Sequence, residues 1–295
     1  MKNVLRAIFF GCVFGLFLTN AQTPTRTQTE ESAAFIRDKL KASQSVNTIE
    51  GVLNPDVQNT RIRPPKPRII SLTKRDKELI SVENEDKSKY SAFLRGSDTG
   101  ILRLHDSENC DEEGKTIGAD EPCPWNVVGK ATFYSFRTED YTSRMFSDIQ
   151  LEKQTFNIVG INLLGFLTDL GDVSLDNLSL QSKGIKEMAE FQPSTNIEEI
   201  KNQFILAKNG FQIGDHIYKT AFQMKPNNSY ALRLIAYDSK VYWKIGKRKI
   251  NLLQYDKRKD IVVIFRVVRE NQDKSVNILW KKIQSKDAPE IESTK

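Results

Sequence analysis

Apolar residues follow two periods along this chain, and the period of two dominates its second half. Tyr218, Thr220, Phe222 and Met224 alternate with Lys219, Ala221 and Gln223, and after Pro226-Asn227-Asn228 the alternation resumes at Tyr230, Leu232, Leu234 and Ala236. Successive strand side chains face opposite sides, so this pattern predicts an antiparallel hairpin with one buried face. Residues 261–268 are almost wholly β-branched or aromatic, which suits a central strand covered on both faces. Val276, Ile278 and Trp280 alternate again beyond a turn at residues 271–274. Upstream, residues 130–137 and 149–160 read as a strand pair, the second segment turning around Lys153-Gln154. Ala92-Phe93-Leu94 and Ile101-Leu102-Arg103-Leu104 flank Gly96-Ser97-Asp98-Thr99-Gly100, a run of turn formers that predicts one more hairpin.

The helical period is confined to short pieces. Ala34, Phe35 and Leu40 recur among charged residues within 29–41, which predicts a short amphipathic helix. A second helix over 184–191 stops before Pro193. A third opens at Thr195-Asn196-Ile197-Glu198, a capping box, carries Ile197, Ile200, Phe204 and Ala207 on one face, and ends at Gly210. Hairpins rather than strand-helix-strand units connect the strands. The expected class is therefore α+β, a mostly antiparallel β-sheet built from hairpins with two or three short helices packed on one face or end. No repeat of fixed period is present.

Organisation follows from composition. Lys2 and Arg6 precede an apolar run over 7–18, and Thr19-Asn20-Ala21 supplies small or uncharged residues before a cut, so residues 1–21 read as a secretory signal peptide removed before Gln22. The expected location is the periplasm or the medium of a bacterium. No later apolar run approaches the ~20 residues of a membrane helix, so no transmembrane segment is expected in the mature chain. Residues 22–88 combine the first helix with a Pro- and charge-rich linker around Pro64-Pro65-Lys66-Pro67. Residues 89–285 form one β-rich domain, and 286–295 a polar tail. The net charge of +6 drops to +4 without Lys2 and Arg6, a mild excess that favours solubility and does not by itself point to specific nucleic-acid binding.

Of three cysteines, Cys12 belongs to the signal. Cys110 and Cys123 remain as an even pair in an oxidising compartment, and a disulfide between them would stabilise by ~3 kcal/mol in the chain-entropy model. The segment around them is acidic, with Asp106, Glu108, Asp111, Glu112, Glu113, Asp120 and Glu121, but the ligand spacing of an EF-hand is missing. His105 and His216 are the only histidines, and neither has a partner at metal-ligand spacing. A Gly-x-Ser-x-Gly elbow and a phosphate loop are both absent, and the residues imply no cofactor and no metal.

Two pieces carry candidate chemistry. Asp98-Thr99-Gly100, followed about sixty residues on by the apolar segment Asn157-Ile158-Val159-Gly160-Ile161-Asn162-Leu163-Leu164, resembles retropepsin-type aspartic proteases. That resemblance implies a homodimer in which two Asp98 carboxylates share a proton and activate water, with Thr99 bracing the loop. The other piece is cationic. Lys240, Lys244, Lys247, Arg248, Lys249, Lys257, Arg258 and Lys259 surround Tyr242, Trp243 and Tyr255 between two strands. Of these, Lys244, Lys247, Arg248, Lys249, Lys257 and Arg258, with Tyr242 and Trp243, are expected to attract an anionic envelope polymer or membrane surface and to stack on sugars. The function expected is that of a non-catalytic binding or envelope-associated module, with the Asp98 hydrolase as the alternative.

Overall fold

A computed structural model of the chain describes residues 74–107, 131–142, 144–245 and 248–292. The expected signal peptide, the helix at 29–41 and both Cys110 and Cys123 lie outside the described residues. Helices α1 (Lys74–Leu79) and α2 (Asn84–Lys89) lead through a 3-10 turn at Phe93–Arg95 to β1 (Thr99–Leu104). Short strands β2 (Phe133–Ser135) and β3 (Asp140–Tyr141) precede β4 (Ile149–Glu152) and β5 (Thr155–Ile158). After β6 (Leu163–Gly171) come α3 (Ile185–Glu190), α4 (Ile197–Asn209), β7 (Phe211–Ile213), β8 (His216–Tyr218) and β9 (Ala221–Gln223). The chain continues through β10 (Ser229–Ala236), β11 (Tyr242–Ile245), β12 (Arg248–Asn251), β13 (Lys259–Glu270) and β14 (Val276–Asp287).

The result is an α+β, β-rich fold whose sheets are antiparallel. One five-stranded sheet has the order β1-β14-β13-β10-β6, and a second has the order β3-β2-β4-β5-β9. Between them lies a core of alternating residues: Tyr230, Leu232 and Leu234 of β10 and Ile261, Val263 and Phe265 of β13 meet Ile149, Leu151 and Phe156 of the second sheet. Tyr230 stacks on Phe265 at 5.1 Å between ring centroids, and Phe156 stands edge-on to both at 5.4 and 5.2 Å, the arrangements that ring quadrupoles favour. The opposite face of the first sheet is covered by α3, α4, β7 and β8. There Ala231, Ile235, Val262 and Ile264 pack with Ile185, Met188, Ile200 and Phe211. β13 is thus buried on both faces, as its β-branched run requires.

Both seams between the sheets are closed. Leu167 and Lys219 exchange backbone hydrogen bonds of 2.9 and 3.2 Å where β6 approaches β9. At the other seam the Tyr141 hydroxyl accepts from the Arg103 amide at 3.1 Å and donates to the Arg103 carbonyl. That phenol blocks the edge of β1 against a further strand.

Local chemistry explains several turns. Lys153 and Gln154 both adopt positive φ, 54° and 52°, as a two-residue hairpin between β4 and β5 demands. Neither is glycine, and the strain is offset by Asp106, whose buried carboxylate accepts both amides at 3.0 and 2.6 Å. Helix α4 is capped one residue later than its Thr195-x-x-Glu198 string suggests. Asn196 Oδ1 accepts from the amides of Glu198 and Glu199, while the Thr195 hydroxyl donates to Glu292 at 2.6 Å.

Two expected hairpins are corrected. Residues 92–94 form no strand; β1 pairs with β14, and Phe93 and Leu94 turn to the helix-side core. β9 does not pair with β10 either, since it extends the second sheet beside β5 while β10 lies between β6 and β13 in the first. The reason is geometric: Phe222 and Tyr230 face the same inter-sheet core from opposite sheets, and alternation identifies the facing side without identifying the sheet. Helix α2 falls inside the segment read as linker, yet it is docked. Asp86 is buried against the Arg269 guanidinium at 2.7 Å and against Asn277 at 2.7 Å. The C-terminal segment is tied down as well, with the Asp238 amide on the Pro289 carbonyl at 3.0 Å and the Glu292 amide on Thr195 at 3.0 Å.

Candidate ligand-binding hairpin

Each part of Asp98-Thr99-Gly100 has a local structural role. Asp98 sits in the left-handed region at φ 57°, its side chain is half exposed, and the Lys282 ammonium lies 3.3 Å from its carboxylate. Lys282 also pairs with Glu139 at 2.6 Å. The Thr99 hydroxyl donates to the Gly96 carbonyl at 2.8 Å and closes the turn. Gly100 faces Trp280 across the β1–β14 pair, and a Cβ there would lie 2.6 Å from the indole. In this chain the Asp98 carboxylate therefore pairs with a cation.

His105 is buried among residue types used by nucleophilic enzymes, in the wrong order. The Ser275 hydroxyl donates to Asp273 at 2.6 Å, and the other Asp273 oxygen lies 3.7 Å from His105 Nδ1. His105 Nε2 donates to the Leu79 carbonyl at 2.9 Å. An activated serine needs the imidazole between hydroxyl and carboxylate. His216 lies over Gly184, where a Cβ would come within 2.6 Å of its ring. Among the described residues, no three His, Cys, Asp or Glu side chains are grouped as metal ligands.

The His105 cluster instead fastens α1 and α2, and this carries a pH prediction. Burial lowers the His105 pKa below its ordinary ~6.5, assisted by Arg103 and opposed by the Leu79 carbonyl and Asp273. Arg269 holds Asp86 below the ordinary carboxylate value. Burial raises Asp273, but Ser275 and Arg103 outweigh it and hold it low. A group with a depressed folded pKa takes up protons more readily when released, so its contribution is present above the ordinary pKa and is lost as pH falls through the folded one. Docking should weaken first below pH ~6.5 through His105, then below ~4 through the carboxylates. Hydrogen exchange at the Lys87 and Tyr90 amides, which bond Glu83 and Asp86 carbonyls, should accelerate at pH 5 relative to pH 7.5 after correction for intrinsic rates. His105→Gln, which keeps a donor for Leu79, should abolish that upper step; equal acceleration in both proteins would contradict it.

The cationic segment forms a two-stranded sheet of its own, β11 with β12, that no other described strand joins. The register sets Tyr242 opposite Asn251, Trp243 opposite Ile250, Lys244 opposite Lys249 and Ile245 opposite Arg248. Tyr242 is 48% exposed. Asn251 fixes that root, its Oδ1 accepting the amides of Val241 and Leu253 at 3.1 and 3.2 Å, above buried Leu252 and Leu253. Lys257 is exposed beyond it, and Lys247 lies outside the described residues.

Arg258, expected among the ligand-binding cations, points inward, its side chain 7% exposed. Its guanidinium lies 2.5 Å from Asp256 and donates to the carbonyls of Tyr237 and Asn162 at 2.9 and 2.7 Å. Asp256 also pairs with Arg137 at 2.8 Å, and Arg137 with Asp148 at 2.6 Å, so four charges alternate in a buried row whose side chains are at most 7% exposed. Burial disfavours the charged Arg137 guanidinium, and the two carboxylates outweigh it. This row joins β2, the approach to β4 and the exit of the hairpin. Its two halves, Arg137 with Asp148 and Asp256 with Arg258, lie more than a hundred residues apart, so spacing could not reveal it. Comparison with protein-family models, curated proteins and solved structures finds no match for this chain.

Proposed function

We propose that this chain is an exported bacterial binding module without catalytic chemistry of its own, and that β11 and β12 contact an anionic polymer of the cell envelope. The observation that carries the reading is the direct opposition of Lys244 and Lys249 in a hairpin outside both large sheets. Like charges directly opposite one another destabilise a strand pair. An anion bridging them removes that repulsion, so the arrangement is favoured where an anion is bound. Arg248 and Lys257 add to the same local field. The positive start and apolar run of residues 1–18 support export to where such polymers lie.

Binding to purified anionic envelope polymer should be measurable at low ionic strength and fall steeply as salt rises, because the Debye length shortens from ~10 Å at 0.1 M to ~3 Å at 1 M. Lys244→Gln with Lys249→Gln should weaken low-salt binding roughly tenfold, taking up to ~1 kcal/mol for each charge pair lost. Binding unaffected by the double substitution would remove the hairpin from the reading. Preference for anionic lipid vesicles over the polymer would redirect it to a membrane surface.

A further inference from the structure

Helix α3 buries Ile185 and Met188 against the first sheet, and α4 buries Ile200 and Leu206. Helix α2 buries an acid, Asp86. Six residues are too few for a helix to stand alone in water, so α2 is helical because it is docked, and acids dock it. They meet a row that crosses three neighbouring strands: Arg103 of β1 stands opposite Asn277 of β14, and Asn277 opposite Arg269 of β13. At ~4.8 Å between strands, the two arginines start about 10 Å apart with the amide between them. Groups of the sheet and its turn already orient this row. The Arg103 guanidinium donates to the Ser275 hydroxyl at 2.8 Å and to Asp273 at 3.0 Å, and Asn271 donates to Asn277 Oδ1 at 3.2 Å, which turns Asn277 Nδ2 towards the acids. Glu83 then lies 3.4 Å from Arg103 and accepts from Asn277. Asp86 takes Arg269 with both oxygens at 2.7 and 2.9 Å and accepts from Asn277 at 2.7 Å, while Glu85 adds a 2.7 Å contact to Arg269.

We infer that the Arg103, Asn277 and Arg269 row is a binding site for an acidic peptide of a partner protein, a site that α2 fills in cis and gives up when such a peptide competes. An apolar helix face stays covered because water rejects it, whereas released carboxylates regain their hydration. The guanidinium groups left behind still favour a carboxylate. The peptide that fits carries two acids three residues apart, the spacing at which Glu83 and Asp86 reach the row. Planar, two-point pairing between carboxylate and guanidinium makes that spacing selective in a way that a diffuse polyanion is not. Val82, buried just ahead of α2, anchors the strap while its acids exchange. The site lies on β1, β13 and β14 and is independent of the β11 and β12 reading.

The test empties the site in the full chain with Glu83→Gln and Asp86→Asn together, and offers it a fluorescent peptide with the natural sequence of residues 80–90. Hydrogen exchange at the Lys87 and Tyr90 amides should accelerate in this variant while the β13 amides keep their protection. Loss of β13 protection would overturn the inference, because the strap would then not be separable from the body. Fluorescence anisotropy should show the peptide binding the emptied variant about tenfold more tightly than the wild-type chain, whose own α2 competes, and Arg269→Gln added to the variant should remove that gain. Equal binding to wild type and variant, or indifference to Arg269→Gln, would overturn it. An isomeric peptide with its acids made adjacent should bind more weakly; equal binding would show that spacing is not read. Displacement of the peptide by polygalacturonate at equal carboxylate concentration would overturn the site in favour of a polysaccharide.

Discussion

Gly100→Val is expected to destabilise the protein by about 3 kcal/mol, at the upper end of overpacking costs and within the range for losing a buried tryptophan. The added Cβ alone would stand 2.6 Å from three atoms of the Trp280 indole, which packs in the inter-sheet core beside Tyr134 and Phe136. The side chain must leave that position or β1 must separate from β14. Thermal unfolding should shift down by roughly 6–12 °C for a chain of this size. Trp280→Leu, although destabilising itself, should make a subsequent Gly100→Val substitution nearly neutral, because the two residues then no longer compete for one volume. Equal costs in both backgrounds would show that Gly100 is required for another reason.

Arg137→Met should cost ~3–5 kcal/mol, the range for removing one partner of a buried ion pair. Asp148 would retain the Ser135 hydroxyl and the Arg137 amide at 3.1 Å each, but Asp256 would keep only Arg258. The Lys257 and Phe146 carbonyls would lose their donors too. Denaturant titration should show the midpoint falling with an unchanged slope. A loss under 1 kcal/mol would mean that water replaces the guanidinium easily and that the row is less enclosed than its exposure indicates.

These two residues mark where the primary structure is legible and where it is silent. Residues 261–268 reveal β13 because a strand buried on both faces has no polar side to present. Lys153-Gln154 is recognisable as a turn from its flanks, although what makes it tolerable is Asp106, supplied from 47 residues away. The Asp98-Thr99-Gly100 string carries two incompatible meanings in one dimension, a catalytic loop and a turn, and only the lysine at 282 and the indole at 280 separate them. Arg258 looks like its neighbours Lys257 and Lys259 in sequence. It differs because Asp256 and the carbonyls of Tyr237, Ile161 and Asn162 offer a planar guanidinium more hydrogen bonds inside than solvent pairing requires. The cationic hairpin itself is visible as composition, but the register that opposes Lys244 to Lys249 is not.

The role of that hairpin is tested most directly by lysine footprinting. The chain is acetylated under limiting conditions with and without saturating anionic envelope polymer, and modification is quantified residue by residue. Protection is expected at Lys244 and Lys249, with Lys257 following more weakly, while Lys183 and Lys208, which lie on the helix side, react as before. Uniform protection of all lysines, or protection confined to Lys183 and Lys208, would contradict the assignment of binding to β11 and β12.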